Sequence, residues 1–199
     1  MSGKVYILEG LPGVGKTTYG KSRQKVCSSV VFIAEEVDDK QLKLYLQDMK
    51  GKARDFQFSV QKLTTERLKR AAALAKQGKH VYVDRGLLGN ACFAELQHRQ
   101  GFISKEDIQR YREEFTYEGV EGLQDVECRT IYMKASASFC LTRIAARARE
   151  GENSYTLGYL EELEKLHDQV FNTAYISEAE RNDIVQEGFL TNEVSLREL

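Results

Sequence analysis

Residues 4–19 read KVYILEGLPGVGKTTY. Val5, Tyr6, Ile7 and Leu8 form a short apolar run of the kind expected for a buried strand. A glycine-rich loop follows, and then the first turn of a helix. Within it, Gly10, Gly15, Lys16 and Thr17 complete the G-x-x-x-x-G-K-[ST] spacing of a phosphate-binding loop. The chemistry accounts for the spacing. Glycines let successive backbone N–H groups turn toward one centre, and a helix N-terminus adds partial positive charge there. Lys16 is then placed for the β- and γ-phosphates and the Thr17 hydroxyl for Mg²⁺. The residues expected to hold the phosphates are Gly10, Gly13, Val14, Gly15, Lys16, Thr17 and Thr18, so the stretch predicts a nucleoside triphosphate site.

The rest of the chain is consistent with one α/β domain over residues 1–199. Lysine and arginine number 29 against 30 aspartate and glutamate, a balance with no field to draw nucleic acid or a membrane surface. No apolar run reaches membrane-spanning length, and MSGKVY leads straight into the first strand. Cys27, Cys92, Cys128 and Cys140 are scattered without metal-ligand spacing, so reduced thiols and a cytoplasmic setting are expected.

Strands are predicted at Val30–Ala34, His80–Val83 and Arg129–Met133, with a short fifth at Asp183–Val185. Helical periodicity fills the intervals: Lys16 to about Val26, Asp38 to about Met49, a long helix after Gly51, Leu87–Arg99, about Lys105–Phe115, one capped by Ser136, and a last one carrying Tyr159–Phe171. Strands alternating with helices predict a central, mainly parallel sheet of about five strands covered on both faces. Two strands end in charge: Glu35 follows one and Asp84-Arg85 another. Strand C-termini are where open α/β sheets bind ligands. Asp84 suits a magnesium shell, and Arg85 suits charge developing on phosphoryl oxygens. Arg143, Arg147 and Arg149, followed by Glu150-Gly151-Glu152, read as an arginine-bearing lid. His98 and His167 sit in helical segments without ligand-spaced partners and read as structural.

From Gly3 to about Phe171 this order of motifs resembles the deoxynucleoside kinase family, P-loop kinases that transfer the ATP γ-phosphate to the 5′-hydroxyl of a deoxynucleoside. The resemblance implies roles residue by residue. Glu35 in FIAEE matches the general base, and Phe56-Gln57 the pair whose amide reads the base. Tyr45 matches the tyrosine on the sugar 3′-hydroxyl, and Phe93 the ring stacked on the base. Asp84-Arg85-Gly86 stands where the family has Glu-Arg-Ser, which shortens the acid and removes a hydroxyl. In RIAARAREGE, Arg143, Arg147 and Arg149 match phosphate-binding arginines and Glu152 the sugar-binding glutamate. Asn90 is expected to help choose the base, with Thr64 lining the same pocket. The implied cofactors are ATP and Mg²⁺, and the implied assembly is a homodimer, which the apolar surplus on the Leu87–Arg99 and Tyr159–Phe171 helices also suggests. Two other readings stay open. Thymidylate kinase shares the Glu-Gly start and an Asp-Arg after a strand but continues with an aromatic residue where Gly86 stands. A GTP-dependent switch would carry an Asn-Lys-x-Asp pattern, which is absent.

Overall fold

A computed structural model describes residues 2–148, 155–171 and 190–195, the last as backbone. Four parallel strands are β1 (Lys4–Glu9), β2 (Val30–Ile33), β3 (His80–Asp84) and β4 (Glu127–Lys134). β5 (Leu190–Ser195) adds to the edge of β4, giving the order β2-β3-β1-β4-β5. β5 runs antiparallel, so the sheet is not parallel throughout. The fifth strand expected at Asp183–Val185 lies outside the described residues.

Alternation along β1 assigns the two layers. Val5 and Ile7 join Val81 and Val83 against Leu68, Ala71, Ala72 and Ala75 of α3 (Met49–Lys76), whose small residues let a 28-residue helix lie close to the sheet. Leu8, Ile131 and Met133 turn the other way, into a core with α6 (Ala137–Arg147) and α7 (Leu157–Phe171). α4 (Leu87–Arg99) packs against α3, and also against α7 through Cys92 and Leu96. The remaining helices are α1 (Lys16–Val26), α2 (Asp39–Gln47) and α5 (Lys105–Glu114).

The break between α2 and α3 falls at Asp48 and not at Gly51, because the Asp48 carboxylate accepts from Gly51 N at 2.9 Å and caps the new helix. The apolar surplus noted on α4 and α7 is absorbed within the chain: of their large apolar side chains only Leu157 is exposed. No helix of the described residues is long and apolar enough to cross a membrane.

Candidate active site

The loop between β1 and α1 is bent by Gly10 (φ 137°), Gly13 (φ 84°) and Gly15 (φ 116°), conformations that side chains with a Cβ rarely adopt. Lys16, expected to reach the β- and γ-phosphates, is also tied to the loop itself. It is 6% exposed, and its Nζ donates to Gly10 O and Leu11 O at 2.9 Å each, so it braces the loop it serves. Burial, with Arg85 nearby, brings its pKa down to about 8. Gly13, Gly15, Lys16, Thr17 and Thr18 line one large cleft. Gly10 and Val14 reach it only indirectly. The Gly10 carbonyl is taken by Lys16 and Arg85, while the Val14 side chain is in the core and its carbonyl accepts from Arg143 Nη1 at 3.2 Å. Thr17 Oγ1 donates to Asp84 Oδ2 at 2.5 Å, and Asp84 Oδ1 is buried with no partner among the described residues. Two hard oxygens beside a phosphate loop, one of them unsatisfied, fit a Mg²⁺ shell.

Glu35 and Arg85 meet where β2 and β3 end. Arg85 adopts a left-handed backbone (φ 67°), uncommon for a residue with a Cβ. Its N–H is held by Leu8 O at 2.9 Å. This twist swings the buried guanidinium across the loop: Nε donates to Glu35 Oε1 at 3.1 Å and Nη1 to Gly10 O at 3.2 Å, with Phe93 4.8 Å below. Glu35 itself is 35% exposed at the cleft wall. Burial works to raise its pKa, but Arg85, then Lys16 and Arg67, outweigh it and hold the carboxyl below its ordinary value.

The cleft, about 690 Å³, extends from the loop to an aromatic end lined by Tyr45, Phe56, Gln57, Asn90 and Phe93. Tyr45 stacks on Phe56 at 4.6 Å, and its hydroxyl accepts from Gln97 Nε2 at 2.9 Å. Thr64 does not line this end. It is fully buried behind it, where its hydroxyl donates to Val60 O and accepts from Asn90 Nδ2 at 2.9 Å. The orientation of Asn90 follows from obligatory partners. Leu87 O can only accept, so Gln61 must present Nε2 to it, at 3.0 Å, and Oε1 to Asn90. Asn90 therefore turns its NH₂ to Gln61 and Thr64 and has its carbonyl oxygen to offer the cleft.

Sequence reasoning missed three buried polar residues. Glu9, the last residue of β1, accepts from Gly86 N at 2.9 Å and Gly89 N at 3.1 Å, capping α4 from another element. Burial pushes its carboxyl pKa up. A charge ending a buried strand was the available signal. Gln61 and Arg67 lie on the buried face of α3, where periodicity of apolar residues alone does not reveal them. At Gly86, where the family resemblance implies a serine, a Cβ would come to 2.6 Å from both Ile7 Cγ2 and the Tyr117 hydroxyl. Tyr155 and Tyr159 also line the cleft. Of the arginines expected in a lid, Arg143 and Arg147 line it, and Arg143 lies 5.3 Å over Phe139. Arg149 and Glu152 lie outside the described residues.

The Cys27, Cys92, Cys128 and Cys140 thiols are free, and no group of three or more metal-binding side chains of the His, Cys, Asp and Glu types occurs among the described residues. His98 Nδ1 lies 2.8 Å from Ile103 O and His167 Nδ1 2.9 Å from Leu163 O, both structural contacts.

The family model described as deoxynucleoside kinase matches residues 6–195. Among solved structures, deoxyadenosine kinase from M. mycoides with bound dATP superposes with a TM-score of 0.69 at 23% identity, covering 85% of this chain and 84% of that one. The same enzyme with the products dCMP and a flexible dCDP gives 0.69 at 22%, over 85% and 83%. With dCTP it gives 0.68 at 21%, over the same shares. At these identities the likeness establishes the fold.

Proposed function

Since the chain belongs to the deoxynucleoside kinase family, an ATP-dependent phosphotransferase acting on deoxynucleosides, we propose that one domain carries out the transfer with Glu35 as base and Arg85 as its partner. The observation that supports this most is their 3.1 Å contact across two strand ends, between the phosphate loop and the aromatic end of one cleft. The 5′-hydroxyl of a nucleoside is neutral and must lose a proton as it attacks, and Glu35, held ionised, is the group that accepts it. Arg85 holds the Glu35 carboxylate and the attacking oxygen together. Lys16, Arg143, Arg147 and Arg149 neutralise the transferring phosphoryl oxygens, and Gly13, Gly15, Thr17 and Thr18 cradle the donor. Thr17 and Asp84 would hold Mg²⁺, which when bound supplies charge neutralisation at the β- and γ-phosphates. Positioning and electrostatics supply most of the rate, as a loose transition state requires.

At the far end, Phe93 stacks on the base, Gln57 pairs with it, and Tyr45 with Glu152 grips the 3′-hydroxyl. Asn90 adds a preference. With its NH₂ engaged by Gln61 and Thr64, it offers an acceptor, which suits the exocyclic amino group of adenine or cytosine and opposes the carbonyl of thymine or guanine. The bases of the dATP and dCTP held by the M. mycoides enzyme carry that group.

A monophosphate acceptor fits less well, because at about 4 Å and an effective dielectric near 20 each unit of like charge against Glu35 costs on the order of 4 kcal/mol. A homodimer is retained on the family resemblance alone, since the inner faces of α4 and α7 are covered within the chain. The test is a coupled assay with ATP and the four deoxynucleosides beside thymidine monophosphate. Deoxyadenosine and deoxycytidine should turn over fastest, and a faster reaction with the monophosphate would overturn the acceptor assignment.

A further inference from the structure

β2 and β3 pair as far as Ile33 and Val83, and the residues beyond leave the ladder just where Glu35 and Arg85 have to meet. One buried side chain spans the gap. Arg67, on α3 and fully inaccessible to solvent, directs Nη1 at Ala34 O (3.3 Å) and Asp84 O (2.6 Å), the residues before Glu35 and Arg85. Its Nη2 donates to Thr64 Oγ1 at 2.8 Å and lies 3.4 Å from Arg85 O. The guanidinium thus replaces the missing rung between the two strands and holds Arg85 from the carbonyl side, while Leu8 O holds its N–H. The left-handed turn that aims Arg85 at Glu35 is therefore fixed at both ends.

We propose that Arg67 is a positioning residue for phosphoryl transfer, fastening the ends of β2 and β3 so that Glu35 and Arg85 face each other, and linking that pair through Thr64 to Asn90 in the base pocket. It touches no substrate, since it does not line the cleft. The planar fork matters as well as the charge: a single ammonium cannot satisfy two strand ends and a hydroxyl from one position. The inference rests on the assignment of Glu35 and Arg85 as the catalytic pair.

The test compares kcat and KM of Arg67→Lys, Thr64→Val and Glu35→Gln with those of the parent enzyme, each on protein shown to be folded by circular dichroism. Arg67→Lys keeps the charge and loses the fork. Its kcat should fall by about ten-fold or more while the KM values for nucleoside and ATP stay within about three-fold, because misplacing a reacting pair costs turnover and not ground-state binding. A kcat within about two-fold of the parent overturns the proposal, as does a loss confined to KM. Should Arg67→Lys fail to fold, Thr64→Val decides: it removes the hydroxyl that accepts from Nη2 and Asn90, together with its own bond to Val60 O within the same helix, and kcat should fall about three-fold, an unchanged kcat overturning the role. Glu35→Gln separates the two assignments. If it abolishes turnover while the Arg67 and Thr64 variants are normal, the positioning role alone fails. If it leaves turnover intact, the catalytic pair and the positioning role fail together.

Discussion

His167 makes the enzyme acid-labile by a calculable amount. The ring is fully buried on α7 between Tyr132 (6.4 Å), Phe93 (6.1 Å) and Phe171 (5.9 Å), and its Nε2 has no partner among the described residues. Burial first, and then Arg85, push its pKa from 6.5 to about 3. A histidine with a depressed value binds fewer protons folded than unfolded. The stability it contributes is therefore intact above about pH 6.5 and is lost as pH falls from there toward 3. At about 1.36 kcal/mol per unit, the loss between pH 7 and pH 5 comes to about 2 kcal/mol, or about 4–8 °C in melting temperature for a chain of this size. His167→Leu removes the titrating group. Thermal melts of both proteins, without ligands, at half-unit steps from pH 7 to 5 isolate the effect, since every other group is shared. The parent should lose about 2 kcal/mol more than the variant over this range. Parallel curves would mean that the ring finds a proton-accepting partner or water, and the reasoning would fail.

Lys16→Ala should lower turnover by at least about two orders of magnitude through lost charge stabilisation, and because its Nζ also holds two loop carbonyls, ATP affinity by calorimetry should drop as well. Glu35→Gln should cut kcat by roughly 10²–10⁴ with nucleoside affinity within a few-fold, and the acid limb of the parent's kcat profile should lie below the ordinary glutamate range because the base works only when deprotonated. Near-parental turnover in Glu35→Gln would remove it as the base. Gly86→Ser should destabilise by about 1–3 kcal/mol, since its Cβ meets Ile7 and the Tyr117 hydroxyl, and Tyr117→Phe should restore part of this in a double variant followed by urea unfolding. Light scattering at micromolar concentration should give a dimer mass, and a monomer mass would end that assignment.

The fold was legible because its signals are local. The glycine loop, the apolar runs of β1 to β4 and the charged strand ends each lie within a few residues. Ser136 caps α6 at the expected position, accepting from Phe139 N, and Ser104 caps α5 in the same way, accepting from Asp107 N. Parts of the site were legible too, since Glu35, Tyr45, Gln57, Asn90 and Phe93 all line one cleft. What stayed hidden depends on contacts between distant segments. Glu9 meets Gly86 and Gly89 only once β1 lies beside β3, and the left-handed turn at Arg85 has no glycine to announce it. α3 misled for another reason: Gln57, Gln61, Thr64 and Arg67 are buried at helical spacing, so its inner face is partly polar and apolar periodicity undercounts it. Thr64 accordingly fell behind the pocket instead of within it.

The strand order also bears on how the chain is made. β1 emerges first but is sandwiched between β3 and β4, with Val5 beside Val81 and Lys4 beside Glu127. At about 5–20 residues per second, a ribosome delivers β4 on the order of ten seconds after β1. β3 is made in the interval and can pair with one edge of β1, but the edge of Val5 to Leu8 that faces β4 has no strand to pair with for the whole wait, a template for association with other nascent chains. The glycine loop, although made well before β4, lacks part of its surroundings until β4 and α6 arrive, since the Met133 and Cys140 carbonyls lie directly against Gly10 and Gly13. Synthesis arrested before β4 should therefore release a chain that carries the whole phosphate-binding motif and does not retain nucleotide.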